Sequence, residues 1–138
     1  MTISIGQCLA MLKNTSVAVA DGYIPDERGT ASVVVSFSDG TILRAFYWRL
    51  IEDGRALLSS FDHQQKYGLP APIDAKERLS NTLDGKICND AQFDVETADL
   101  IFFFGKTIKL QIFNFTSYEI WDIRFPDGSG EFSNYALK

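Results

Sequence analysis

The side chains best equipped for chemistry lie in three places along the chain. The first is Asp62-His63, which contains the only histidine. A histidine oriented by a carboxylate can act as a general base. Adjacent residues, however, point in different directions, and no serine or cysteine sits in a supporting nucleophile motif. The pattern therefore predicts a loop histidine hydrogen-bonded to its surroundings. The second is Phe104-Gly105-Lys106-Thr107, which has the closing letters of a phosphate-binding loop. That motif requires glycine at position 100, where this chain has Leu100, and it must open a helix. Here an alternating strand pattern follows, so a β-turn is expected. The third is a set of paired carboxylates, Asp90 with Asp94 and Glu96 with Asp99. Glycosidases and metal sites use such pairs. With no His or Cys clustered nearby, solubility or partner recognition accounts for them better, and neither a metal nor a cofactor is expected.

Aromatic residues form a second group of candidates. Phe46, Tyr47 and Trp48 are consecutive, so an extended backbone must place them on both faces. One face belongs to the core, and the other is either covered by a helix or left as an aromatic anchor of the kind that dominates protein interfaces. Tyr118 and Ile120, opposite the face of Trp121, raise the same question.

These residues must be positioned by a domain whose character follows from composition. The chain has 138 residues with 46% apolar and 13% aromatic content, including 11 phenylalanines. One domain of this size buries enough surface to fold without a staple, and its aromatic and β-branched content favours sheet. The net charge is −5, which argues against nucleic acid or an anionic membrane surface as partner. The charge is uneven. Residues 84–131 hold nine acidic and four basic side chains, whereas residues 1–83 hold nine and eight. The acidic excess is thus a solvated sheet face or a surface that meets a basic partner. Cys8 and Cys88 are far apart and outside any ligand motif, as expected of free thiols in a reducing compartment. The start MTISIGQCLAMLK is unlike a signal peptide. No apolar run approaches the ~20 residues of a membrane span. A cytoplasmic protein is expected, and the Asn14 and Asn114 glycosylation triplets are then irrelevant.

Periodicity predicts an α+β fold in which one antiparallel meander of about six to seven strands carries an N-terminal helix and a short central helix. Ile5, Leu9 and Leu12 place a helix over 3–13, with Asn14 as its stop. Strands are expected at 17–23, 31–37 and 42–50, and 55–60 is a further apolar piece. Asp39-Gly40 should form a type I′ turn, and Glu52-Asp53-Gly54 a further turn. The stretch from Ser59 to Ile73 is irregular, and Asp74 caps a helix over 75–83 with Glu77 completing a capping box. Four strands follow. In the first, Ile87, Ala91, Phe93 and Val95 should face one way and Cys88, Asp90, Gln92 and Asp94 the other. The apolar 100–104 reads as a central strand, 108–112 alternates, and 118–125 presents Trp121, Ile123 and Phe125. The sequence 126–130 is a turn, after which the tail either adds an edge strand or frays.

Two stretches carry a resemblance. One is Leu58-Ser59-Ser60-Phe61-Asp62-His63 with Tyr67-Gly68-Leu69-Pro70-Ala71-Pro72-Ile73-Asp74. The other is Thr97-Ala98-Asp99-Leu100-Ile101-Phe102-Phe103-Phe104-Gly105 with Leu110-Gln111-Ile112 and Tyr118-Glu119-Ile120-Trp121-Asp122-Ile123. Together, over roughly the last 80 residues, they resemble small bacterial immunity-type proteins of contact-dependent growth inhibition and polymorphic toxin systems. The resemblance implies a cytosolic, non-enzymatic protein that binds and neutralises a cognate toxin, a nuclease, by blocking its active site. It carries over no catalytic residue.

On that implication Asp90, Asp94, Glu96, Asp99, Glu119 and Asp122 would be partner-facing charges and Tyr47 and Tyr118 anchors. The protein would be a monomer or weak homodimer. Two alternatives stand beside it. One is a small-molecule-binding domain or enzyme with a pocket beside the 62–73 loop. The other is a structural module that pairs through an open strand edge.

Overall fold

The computed structural model describes residues 4–22, 31–114 and 120–133. Helix α1 covers Ile5–Ala10. Ser4 opens it with a capping box, accepting from the Gln7 N–H while its own N–H donates to the Gln7 side chain. The helix stops before Asn14, which closes the following turn with φ +72°.

Ten strands follow among the described residues: β1 Val17–Asp21, β2 Val33–Phe37, β3 Ile42–Ala45, β4 Trp48–Glu52, β5 Arg55–Ser59, β6 Cys88–Phe93, β7 Leu100–Phe104, β8 Ile108–Ile112, β9 Trp121–Arg124 and β10 Gly130–Phe132. A 3-10 turn over Ser60–Asp62 and helix α2, Ala75–Leu83, lie between β5 and β6. The α+β class matches expectation, but the single meander does not. The strands form two antiparallel sheets, ordered β1-β2-β3-β9-β10 and β5-β4-β8-β7-β6. Their inner faces meet in one core, where Phe37 packs on Phe102 at 5.6 Å between ring centroids and Phe93 meets Trp121 edge-on at 6.4 Å.

Two crossings make the sandwich, and side-chain parity explains the first. Ala45 and Trp48 are both buried, yet an unbroken strand would turn residues three apart to opposite faces. The expected 42–50 strand therefore breaks at Phe46-Tyr47, so Ala45 points inward from the first sheet and Trp48 inward from the second. Trp48 fixes the corner by donating its indole N–H to the Ala31 carbonyl at 2.8 Å. The second crossing carries β9 away from β8, its expected neighbour, to pair with β3. Of the expected 126–130 turn, residues 126–129 lie in the hairpin connection and Gly130 begins β10, the edge strand.

Two Asp-Gly pairs give two different turns. Asp53 and Gly54 both have positive φ, +54° and +76°, and join Glu52 to Arg55 as a two-residue type I′ connection. At Asp39-Gly40, where that turn was expected, only Gly40 is left-handed (φ +101°). There the Gly40 N–H donates to Phe37 O and the Phe37 N–H to Thr41 O, which makes a longer connection. The Asp39 carboxylate accepts from the Thr41 N–H at 2.9 Å and so braces this connection.

Strand β6 also departs from simple alternation. A bulge between Cys88 and Asp90 shifts the register against β7. Cys88 thereby joins Ala91 and Phe93 on the core side, while Ile87 and Val95, expected on that side, are exposed. Helix α1 packs on β6, and α2 packs on β1. Asp84, just after α2, accepts from the Val19 N–H at 2.8 Å and so covers the β1 edge. No helix among the described residues is long and apolar enough to cross a membrane.

Candidate functional site

The outward face of the β5-β4-β8-β7-β6 sheet gathers most of the candidate residues. Register puts Gln92, Ile101, Gln111 and Arg49 in one row across β6, β7, β8 and β4, and Asp90, Phe103, Lys109 and Ile51 in the next. A third row runs beyond the strand ends. The Asp94 N–H donates to Asp99 O, and the Phe113 N–H donates to Tyr47 O. Tyr47 in turn stacks on Phe61 with centroids 5.7 Å apart. Neither helix lies over the outward side chains of β4, β8 and β7, since α1 sits on β6 and α2 chiefly on β1.

An antiparallel sheet facing water ordinarily carries polar side chains on that face. Here Tyr47, Ile51, Ile101, Phe103 and Phe113 are half-buried and turned outward, and Phe61 is 52% exposed. Two cations lie over this face. The Arg49 guanidinium is 5.0 Å from the Phe113 centroid and donates to Gln111 Oε1 at 2.7 Å, and Lys109 is 5.7 Å from Phe103.

The acidic border is built by β6 and the β6–β7 turn. Asp94 Oδ1 accepts from the N–H groups of Glu96 and Thr97 at 2.8 and 3.3 Å, which folds the turn onto its carboxylate. Asp99 accepts from the Asn114 N–H at 2.7 Å. Asp90 accepts from the Ala91 N–H at 2.9 Å and from the Gln92 amide at 3.1 Å. Val95, at the tip, is 76% exposed. Among the described residues, no lysine or arginine forms an ion pair with Asp90, Asp94, Glu96 or Asp99. Between this turn and Phe113 lies an open hollow of about 490 Å³, lined by Asp94, Asp99, Ile101, Gln111 and Phe113 among others.

The structure thus brings Asp90, Asp94, Glu96, Asp99 and Tyr47 to one face. Asp122 is elsewhere, on the outward side of β9 in the other sheet, opposite Arg44 and Phe132 in register. Tyr118 and Glu119 lie outside the described residues. Sequence reasoning missed Ile101, Phe103, Phe113 and Phe61. The available signal is the wholly apolar Leu100–Phe104, which reads as a central strand and does not say what its second face meets.

The other chemical candidates have structural roles. Asp62 does not orient His63; its carboxylate accepts from the Ser59 N–H at 2.9 Å and the Tyr67 hydroxyl at 3.0 Å. That last bond raises the Tyr67 pKa. The His63 side chain is 6% exposed, and its Nδ1 accepts from the Ala75 N–H at 3.1 Å. Asp74 accepts from the Glu77 N–H at 3.0 Å, as expected, but the reciprocal bond of a full capping box is absent among the described residues. Histidine and aspartate together therefore accept two of the first-turn N–H groups of α2, those of Ala75 and Glu77. Two open hollows lie beside the 62–73 loop among the described residues, and Lys76 and Asp21 form an ion pair at 2.9 Å in the one that His63 lines. Phe104-Gly105-Lys106-Thr107 is the tight β7–β8 turn. Cys8 and Cys88 are free and buried, and burial pushes the Cys88 thiol up to about 11. No group of three or more His, Cys, Asp or Glu among the described residues is arranged to hold a metal ion.

Compared with protein-family models, curated proteins and solved structures, the chain matches none.

Proposed function

We propose that this chain is an immunity-type inhibitor that binds a basic toxin domain, a nuclease, and occludes its active site. The observation that carries the reading is the outward face of the β5-β4-β8-β7-β6 sheet, where aromatic and aliphatic side chains stand in place of polar ones beside carboxylates that form no ion pair with a lysine or arginine among the described residues. Aromatic side chains in a patch bordered by charge are the usual anchors of protein recognition. Carboxylates at the border steer a basic surface into place and compete with substrate phosphate. Strands held in two packed sheets present these groups with little ordering cost on binding.

The test is capture of the partner from native cells with tagged protein, followed by titration of the purified partner's nuclease activity with this chain. Activity should vanish at one equivalent. A captured partner that keeps full activity when saturated, or the lack of any stoichiometric basic partner, overturns the reading.

A further inference from the structure

We infer that the hollow between the β6–β7 turn and Phe113 receives an arginine side chain of the partner protein. The inference deepens the proposed function and rests on its reading of the outward sheet face as the docking surface.

Three features of this face select that occupant. The first is shape and polarity. The hollow of about 490 Å³ has Ile101, Val95 and Phe113 on its apolar side and Asp94, Asp99, Gln92 and Gln111 as polar lining. A long side chain with an apolar stem and a charged, multiply donating head matches both parts at once. The second is charge. Asp94 and Asp99 are paired across the turn by the Asp94 N–H to Asp99 O bond at 3.0 Å, so their carboxylates belong to one short segment of backbone. Neither forms an ion pair with a lysine or arginine among the described residues. Both accept backbone N–H groups at Oδ1, and a carboxylate has further lone pairs for a guanidinium. Glu96, between them in sequence, is exposed. The third is a precedent within the same face. Its outward rings hold cations, Arg49 over Phe113 at 5.0 Å and Lys109 over Phe103 at 5.7 Å. A planar guanidinium can approach such a ring and a carboxylate together, which a hydrated ammonium does less well.

The probe is the peptide acetyl-(Gly-Arg)3-amide, titrated into the 15N-labelled full chain and followed by amide chemical shifts. The controls are the same peptide with citrulline, a neutral isostere, or with glutamate in place of arginine. The expected result is a saturable shift confined to residues 92–101 and 111–113. Affinity should fall about tenfold or more for the citrulline peptide, with no binding of the glutamate peptide. Ile101→Arg, which adds a second guanidinium of the chain's own beside the hollow, next to that of Arg49, should abolish the shifts and leave the far-UV spectrum unchanged. Equal binding of the citrulline peptide, shifts spread across the acidic surface, or no saturable shift would overturn the inference. The two readings fail separately. Arginine binding here without inhibition of any nuclease sinks the proposed function alone. Full inhibition by the Ile101→Arg chain sinks the arginine site alone.

Discussion

The indole N–H of Trp121 donates to the carbonyl of Ala98 at 2.9 Å. Trp121 begins β9 of one sheet, and Ala98 sits in the β6–β7 turn of the other, at φ +61°. A residue other than glycine in that region is uncommon, and the turn keeps it because both its ends are held. The Ala98 N–H donates to Asp94 O at 2.8 Å, and the indole takes the Ala98 carbonyl. The turn that carries Asp94, Glu96 and Asp99 is thus pinned from the core.

Trp121→Phe should therefore do more than remove a buried donor. It leaves the Ala98 carbonyl without its partner, at a cost of about 1–3 kcal/mol in urea unfolding. Amide shifts should move most at residues 94–99. A loss of stability with those amides unchanged would show that the turn holds its shape without the indole.

Reversing charge at Asp90 and Asp94 together, to lysine, should slow association with the captured partner and flatten its dependence on salt, because both effects arise from long-range attraction. Asp94 also folds the turn, so Glu96→Lys is the cleaner companion: no hydrogen bond to its carboxylate is seen among the described residues. Stopped-flow rates that match wild type in both variants would place the docking face elsewhere.

Phe61→Ser tests the aromatic end of the same face. Phe61 is 52% exposed and stacks on Tyr47. Its loss should cost under about 1 kcal/mol of stability yet weaken partner binding by about tenfold or more, as expected when an anchor is removed. Calorimetry on the purified complex reads both quantities. Unchanged affinity would remove Phe61 from the surface.

His63→Ala should lower stability by about 1–2 kcal/mol, since the Ala75 N–H loses its acceptor at the start of α2. Partner binding should be unaffected. A variant as stable as wild type by thermal melting would mean that water replaces the imidazole at no cost.

Alkaline pH should expose Cys88. Its thiol is raised from the ordinary 9.0 to about 11 in the fold, chiefly by burial, so the folded state favours the neutral form. That contribution is complete below about pH 9 and is lost as pH rises through 11, because the unfolded chain ionises first. In the native protein at pH 8, iodoacetamide should modify neither buried cysteine, whereas both should react in guanidinium. Rapid native alkylation of Cys88, read by mass spectrometry, would contradict this burial.

Local signals in the chain determined its local elements. The bounds of α2 follow from Asp74 and the apolar spacing of Ala75, Leu79 and Leu83, because a capped amphipathic turn depends on neighbours a few residues away. The alternation of β8 and the turn at Gly105 were legible for the same reason. The concentration of acid after residue 84 was also plain from the residues alone. Tertiary structure decided the rest. Whether Ile42 to Glu52 forms one strand or two depends on which sheet needs Ala45 and Trp48 inside, a choice made by packing across the sandwich. The same packing sent β9 to β3 and re-phased Cys88 through a bulge. It also separated Asp122 from the other carboxylates and left Ile101, Phe103 and Phe113 outward. An apolar strand reads the same whether its second face meets a helix or a partner, and only the positions of the two helices distinguish the cases.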